Sequence, residues 1–377
     1  MPVSYRETIL LLYNKEKETT IQYVWWLLIS AFFSLNLMIP IFTKQFIATA
    51  GYKFKLRLSL QTSKEVRYRF FSYFYRREFS SITGLVMGDN QLTDSGATLV
   101  AVCQMNSTND VDRNMGICKD LINKAKSRGA KFVFLPECFD YVGENSEQSL
   151  SMAEPLESPR MQILCELAKE LGVWLSLGGY HEKGPPDDKR LRNSHVIVND
   201  SGSIVAVYRK IHLFDIDVKD GPRLKESDTC IPGNQIVPPV STPVGNVGLA
   251  ICYDVRFPEL SLILAQQGAD ILTFPSAFTQ ITGSAHWEVL LRCRAVENQC
   301  YVIAAAQTGQ HNAKRRSYGH AMVVDPWGCV IAQCHEGNDV CVAEIDLGYL
   351  NKIRQQMPLM NHRRTDIYGS LNSGPKL

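Results

Sequence analysis

The sequence predicts an α/β fold, a single catalytic domain over residues 99–370 in which mixed β-sheets are covered by helices. Three observations predict it. Short apolar runs alternate with stretches of helical spacing along that whole region. One pair of runs is joined by a hairpin signal, so the sheets are not all parallel. The chain has 377 residues, 45% hydrophobic and 21% charged, which is ample material for one large core.

The elements follow in order. LVAVCQM (99–105) is a continuous apolar run and reads as a buried strand; 113–127 has helical spacing. KFVFLPE (131–137) is a second strand, and 160–171 a helix with Pro159 suited to its first turn. VWLSLGG (173–179), HVIVND (195–200) and IVAVYRK (204–210) are strands, the last two linked through Ser201, Gly202 and Ser203 as a hairpin. NVGLAICYD (246–254) is a strand followed by a helix from Pro258. DILTFPS (270–276) is a strand and about 285–299 a helix. YVIAAAQ (301–307), HAMVVD (320–325) and VCVAEID (340–346) complete the strands, and 347–356 is a final helix before a short tail, 371–377.

Residues 1–98 are different in kind. Trp25 to Phe42 is a run of 18 residues without charge, the minimum for a membrane span, interrupted by Asn36 and Pro40. Residues 44–77 then carry nine Lys or Arg against one acid, Glu65, mixed with aromatics and serines. Basic, acid-poor, amphipathic composition of this kind matches an organelle-targeting segment, so a mitochondrial leader is the preferred reading. A signal anchor through 25–42, the only route to membrane contact, and an upstream extension without a role are the other two. Met87 opens a polar stretch and suits an alternative start for a cytosolic form.

Composition excludes several classes. A net charge of +2 offers no global attraction for nucleic acid. Eleven cysteines, an odd number without a Cys-x-x-Cys pair, fit neither a secreted disulfide framework nor a zinc ribbon. They fit a reducing compartment, with most thiols acting as small buried hydrophobes. His311, His320, His335 and His362 lack ligand spacing and no glycine-rich phosphate loop is present, so neither a metal nor a cofactor is expected.

Three segments share one design, an apolar strand ending in a reactive side chain: FVFLPE at Glu137, VAVYRK at Lys210 and VGLAIC at Cys252. Each is weak alone, because a thiol in a strand is ordinarily inert core and a charged strand end is ordinarily solvated. Together a thiol, a carboxylate and an ammonium are the set that acyl transfer at an amide requires. Around Cys252 the run GLAICYDVRFPEL passes from apolar strand to a polar cluster and then to Pro258 opening a helix. That pattern suits a strand–turn–helix elbow, which presents a nucleophile and aims backbone N–H groups at the same point.

FLPECFDY, YRKIHLFD and GLAICYDVRFPEL resemble the three signature segments of the nitrilase superfamily, in order. The runs from Pro275 to Gln307 and from Tyr318 to Gly328 are similar to that superfamily's C-terminal half. SLGGYHEKG, ITGSAHWEVLLR and LMNHRRTDIYG favour the group of amidases acting on deaminated glutathione, with ω-amidases and carbamoylases as neighbours. The resemblance implies a four-layer α-β-β-α sandwich and assembly into at least a homodimer through helical faces. It implies that Glu137 is the general base, Cys252 the nucleophile, and Lys210 with the Tyr253 N–H the oxyanion donors. Lys210 is also expected to favour the thiolate. Glu226, 16 residues past Lys210, is the best match for a second glutamate that orients Lys210 and the substrate. The implied substrate carries carboxylates, so the pocket needs cations. Arg256 is the first candidate, set against an ion pair with Glu259; His181 and His286 follow. Arg292, Arg294 and Glu297 suit ion pairs along one helix, Trp287 and Trp327 suit packing, and 362–364 a solvated or subunit-contact run. Some relatives carry a fused His-x-His-x-His domain; this chain has no such motif, and a stand-alone amidase is expected. A membrane-tethered binding protein without activity is the rival of another class, disfavoured by the complete set of reactive groups.

Overall fold

The structure, a computed structural model, describes residues 97–217 and 223–369. The apolar run 25–42, the basic stretch 44–77, Met87 and the tail 371–377 lie outside the described residues, and no described helix is long and apolar enough to cross a membrane.

Two sheets pack face to face. The first holds β1 (Thr98–Met105), β2 (Phe132–Leu135), β3 (Trp174–Glu182), β4 (Arg192–Val198) and β5 (Ile204–Arg209) side by side. Beyond β1, this sheet is completed by β12 (Ala306–Gln310), β13 (Arg316–Tyr318) and β16 (Asp339–Ile345). Strand β1 shares one edge between two partners, antiparallel β16 along most of its length and parallel β12 at its end. The second sheet runs in the order β15 (Val330–Gln333), β14 (Met322–Val324), β11 (Tyr301–Ala304), β10 (Ile271–Thr273), β9 (Gly245–Leu249), β8 (Val240–Thr242). A small ribbon, β6 (Asp215–Asp217) and β7 (Arg223–Lys225), stands apart from both.

The twofold period of the strands divides the core. Val100 and Val102 on β1, with Phe132 and Phe134 on β2, face the second sheet. Ala101, Cys103 and Met105, with Val133 and Leu135, face away from it into a second cluster. That cluster is closed by helices α1 (Val111–Ser127) and α3 (Pro159–Leu171), which bring Met115, Cys118, Leu121, Met161 and Leu164. Burial on both faces is why these strands read as unbroken apolar runs. On the far side of the second sheet, α4 (Pro258–Gln266) and α5 (Gln280–Asn298) bury Leu260, Leu264, Trp287, Leu291 and Ala295. The order is therefore helix, sheet, sheet, helix, in agreement with the expected four layers. Helix α2 (Ser146–Ser151), α6 (Leu347–Gln356) and α7 (Thr365–Tyr368) complete the elements.

Local signals account for the helix starts. Asp110 caps α1 by accepting from the Arg113 N–H at 3.0 Å. Ser158 caps α3, Pro159 takes its first position, and Gly172 ends it in the left-handed region.

Three expectations need correction. The run 246–254 is not one strand: β9 ends at Leu249, and Cys252–Arg256 is a single 3-10 turn. The run 301–307 divides at Ala305, where the chain leaves the second sheet as β11 and enters the first as β12. A uniform apolar composition hides that crossing, because both halves are buried. Helix α5 begins at Gln280 rather than near 285, capped by Thr279.

Candidate active site

Strands β2 and β3 run parallel, and β5 lies two antiparallel pairings from β3, so it shares their direction. Glu137 and Lys210 therefore both lie just beyond the C-terminal ends of strands in the first sheet. Cys252 lies beyond the end of β9 in the second, and the two sheets bring these ends together.

Glu137 is 3% exposed and Lys210 is 2% exposed. The Lys210 Nζ donates to Glu137 Oε1 at 2.9 Å and to Glu226 Oε1 and Oε2 at 3.1 and 2.9 Å. Asn193 on β4 bridges the same two carboxylates, donating from Nδ2 to Glu137 at 2.9 Å and to Glu226 at 3.2 Å. Glu137 Oε2 accepts from the Ala277 N–H at 2.8 Å, and Glu226 Oε2 from the Phe214 N–H at 2.7 Å. The Cys252 thiol and the Glu137 carboxylate are near enough for each to shift the other's proton affinity. Glu137 thus bonds the ammonium and neighbours the thiol. The backbone beside it is packed closely: a Cβ on Gly179, which has φ +67°, would lie 2.6 Å from Glu137 Cγ, so only glycine fits there.

The elbow is built on strain and one buried acid. Cys252 adopts φ 46°, a left-handed conformation uncommon for a non-glycine residue, while its N–H donates to Pro275 O at 2.9 Å. Asp254 Oδ2 accepts from the Ile251 N–H at 2.8 Å and from the Tyr208 hydroxyl at 2.7 Å. Its Oδ1 accepts from His212 Nδ1 at 2.7 Å. Tyr208 and His212 flank Lys210, so Asp254 ties the cysteine turn to the lysine segment. Tyr253 supplies the first free N–H of the turn, which has no acceptor among the described residues.

Burial and the Glu137 carboxylate push the Cys252 thiol well above its usual pKa, and Lys210 only partly opposes them. Burial also works against the charge of Glu137, but Lys210, the Cys252 thiol and Asn193 together hold its carboxyl below the usual range. Burial would lower Lys210, and Glu137 and Glu226 raise it instead, well above normal. The resting pair is a thiol beside a carboxylate. Lys210 does favour the thiolate, as a neighbouring cation should, but burial and Glu137 outweigh it, and two carboxylates already engage its charge.

Of the other expected residues, Arg256 lies over the rings of Tyr253 and Phe278 at 5.7 and 5.3 Å and bonds His286 Nδ1 at 3.2 Å. Glu259 is exposed and forms no ion pair with it among the described residues. His286 sits on the exposed face of α5. Arg292 pairs with Glu288 at 3.1 Å and Arg294 with Glu297 at 2.6 Å. Trp287 is packed, but Trp327 is 58% exposed, against expectation. Among the described residues no three His, Cys, Asp or Glu side chains are grouped to hold a metal ion, and all eleven cysteines are free.

His181 is engaged by a buried acid: its Nδ1 lies 2.8 Å from Asp140 Oδ1, its ring stacks on Tyr141, and Arg160 also pairs with Asp140. Burial opposes its charge, but Asp140 and Cys138 raise it to about 10. A pKa raised from 6.5 to about 10 contributes stability that is complete below ~6.5 and lost as pH rises toward 10. Unfolding by urea should therefore show stability falling across that window, and His181→Gln should flatten the fall. Equal slopes in both proteins would exclude the charged pair.

Asn193 and Asp254 were not identified as site residues from sequence. Nothing in RNSHVIV distinguishes its asparagine, whereas the abrupt polar cluster after the apolar strand was a usable signal for Asp254. The paired glycines within SLGGYHE, read as a strand end, were a signal of close backbone approach.

The carbon–nitrogen hydrolase family model matches residues 99–355. The deaminated glutathione amidase of Bos taurus is 54% identical over 275 residues, 72% of this chain and 84% of that protein. The crystal structure of the C. elegans NitFhit protein aligns with TM-score 0.70 and 51% identity, covering 74% of this chain and 67% of that one. Saccharomyces cerevisiae Nit3, a member of branch 10 of the nitrilase superfamily, aligns with TM-score 0.63 and 33% identity, covering 71% and 97%.

Proposed function

This chain belongs to the carbon–nitrogen hydrolase family, a hydrolase of carbon–nitrogen bonds, and we propose that it cleaves the amide of deaminated glutathione to 2-oxoglutarate and Cys-Gly. The observation that carries the mechanism is the buried Glu137 carboxylate, bonded to the Lys210 ammonium at 2.9 Å and near enough to the Cys252 thiol to raise its pKa. The substrate follows from a relative named for that activity at 54% identity.

In the proposed reaction Glu137 accepts the thiol proton as Cys252 Sγ attacks the amide carbon. The carbonyl oxygen becomes an oxyanion, held by Lys210 Nζ and the Tyr253 N–H. Preorganised donors of this kind are typically worth about 3 to 4 kcal/mol each. Glu137 then protonates the departing nitrogen, the carbon–nitrogen bond breaks, and an acyl thioester remains on Cys252. Water deprotonated by Glu137 attacks the thioester, releasing the acid and restoring the thiol. Glu226 and Asn193 hold Lys210 and Glu137 in register throughout. Starting from neutral thiol and ionised carboxylate, the proton moves in the direction the first step needs.

The test is hydrolysis by the purified full chain of deaminated glutathione beside 2-oxoglutaramate. A higher kcat/KM for deaminated glutathione is expected. A preference for 2-oxoglutaramate would move the chain to the ω-amidase reading, and turnover of neither would overturn the substrate assignment.

Two further proposals complete the reading. Residues 1–98 are a leader that directs a mitochondrial form, with Met87 starting a cytosolic one; this rests on composition. Residues 1–90 fused to a fluorescent protein should reach mitochondria, and diffuse or plasma-membrane signal would overturn it. The catalytic domain, 99–370, forms a homodimer or larger assembly. Ile281 and Val289 on α5 are 77% and 61% exposed, and Trp327 stands beside the same helix. A monomer in sedimentation at micromolar concentration would count against it.

A further inference from the structure

Among the described residues, the Glu137–Lys210–Cys252 cluster itself holds no free cation for the proposed substrate. Glu137 and Glu226 bring two carboxylates to a single ammonium, Lys210. The Cys252 thiol stays neutral, so the cluster is net negative before any ligand arrives. Deaminated glutathione carries two carboxylates, one on its 2-oxo acid end and one on its glycine end. Like charges in a secluded site repel strongly, so an unengaged cation is needed to admit them. Arg256 does not meet that need, being laid over Tyr253 and Phe278 and bonded to His286.

Arg315 does. It lies in the loop between β12 and β13, and that loop is fastened to both walls of the site. On one side Asn312 Nδ2 donates to Gly143 O at 3.1 Å, in the segment that follows Glu137. His311 Nδ1 lies 2.8 Å from Ser107 O, and Gln307 Nε2 donates to Cys138 O at 3.1 Å. On the other side Ser317 bridges to Thr279, and the Tyr318 N–H donates to Phe278 O at 2.9 Å. Phe278 adjoins Ala277, whose N–H holds Glu137.

Asn312 Oδ1 accepts from the Arg315 N–H at 2.8 Å, and the Arg315 carbonyl accepts from the His311 N–H at 2.9 Å, which fixes the tip of the loop. The guanidinium has no hydrogen bond or ion pair among the described residues. The Arg315 side chain is exposed to solvent and lies within electrostatic reach of Cys138, Glu137, Glu226 and Cys252. The two nearby carboxylates are taken up by Lys210, Asn193 and backbone N–H groups, which leaves the arginine's donors available.

We propose that Arg315 receives a substrate carboxylate at the mouth of the active site and thereby selects acidic amides over neutral ones. This rests on the substrate reading above. The two carboxylates of deaminated glutathione share one chemistry, and the substrates of the test separate them.

The test uses the full chain, with Arg315→Ala and Arg315→Lys, on deaminated glutathione, 2-oxoglutaramate and butyramide as a neutral amide. Arg315→Ala should lower kcat/KM for deaminated glutathione on the order of 100-fold, mainly through KM. Turnover of butyramide should stay within about twofold, and Arg315→Lys should recover only part of the loss, lacking the planar fork. A parallel loss on 2-oxoglutaramate assigns the contact to the 2-oxo acid end, and an unchanged rate there assigns it to the glycine end. Variants equal to wild type on acids that the wild type hydrolyses would overturn the role of Arg315 alone. An equal loss on acids and on butyramide would overturn it as well, marking a structural role. A wild type inactive on both acids would overturn the substrate reading and this assignment with it.

Discussion

Cys252→Ala should abolish amide hydrolysis, lowering kcat on the order of a million-fold, the scale seen when the nucleophile of a comparable acyl-transfer site is removed. The fold should tolerate it. The change removes one sulfur, keeps the Cβ, and leaves φ at 46° no more strained for alanine than for cysteine. Glu137 keeps its bonds to Lys210, Asn193 and the Ala277 N–H, so no buried carboxylate is orphaned. The stability change should stay within about 1 kcal/mol. Turnover and urea unfolding of the same preparation check both parts. Intact-mass measurement during steady state should also show an acyl adduct on the wild type and none on the variant. Activity within 100-fold of wild type would place the nucleophile elsewhere.

Lys210→Met should lose both activity and stability. One nitrogen separates the two carboxylates at 2.9 to 3.1 Å, and without it Glu137 and Glu226 confront each other in a buried site. Removing one partner of a buried charge cluster typically costs about 3–5 kcal/mol; water near Glu226, the more exposed acid, moderates that figure. One carboxylate would take up a proton to escape the repulsion, as paired acids do. If Glu137 takes it, the general base is lost at neutral pH, and the oxyanion loses its charged donor in any case. Activity should fall at least ~1,000-fold, since removing a single oxyanion donor alone costs 100- to 1,000-fold. Adding Glu226→Gln to Lys210→Met should restore most of the stability and none of the activity. A single variant as stable as wild type would show that the carboxylates do not depend on Lys210, and an active one that Lys210 does not serve the oxyanion.

Legibility differed between elements for physical reasons. FVFLPE, VAVYRK and VGLAIC could be read because each joins a buried strand to a charged or reactive end, a local pattern that solvent exclusion imposes. The strand over 301–307 could not be divided, because the crossing at Ala305 leaves both halves equally buried. Asn193 was invisible since its partners, Glu137 and Glu226, are 56 and 33 residues away. Arg315 lay in a basic run, NAKRRS, that resembles any solvated loop; only the hydrogen bonds at both ends of that loop bring it to the site.

By itself the sequence determined the α/β class, most of the apolar strands, the prolines that open two helices and the three reactive groups at strand ends. These depend on period, turn chemistry and residue type within a few positions of one another. Tertiary structure alone decided the direction in which burial and Glu137 shift the thiol, the division of Lys210 between two acids, the clamp of Asp254 across Tyr208 and His212, and the placement of the Arg315 loop against the site. Those properties depend on the distances and burial of charges brought together from separate segments, and local sequence does not encode a Coulomb interaction between residues that only the fold makes neighbours.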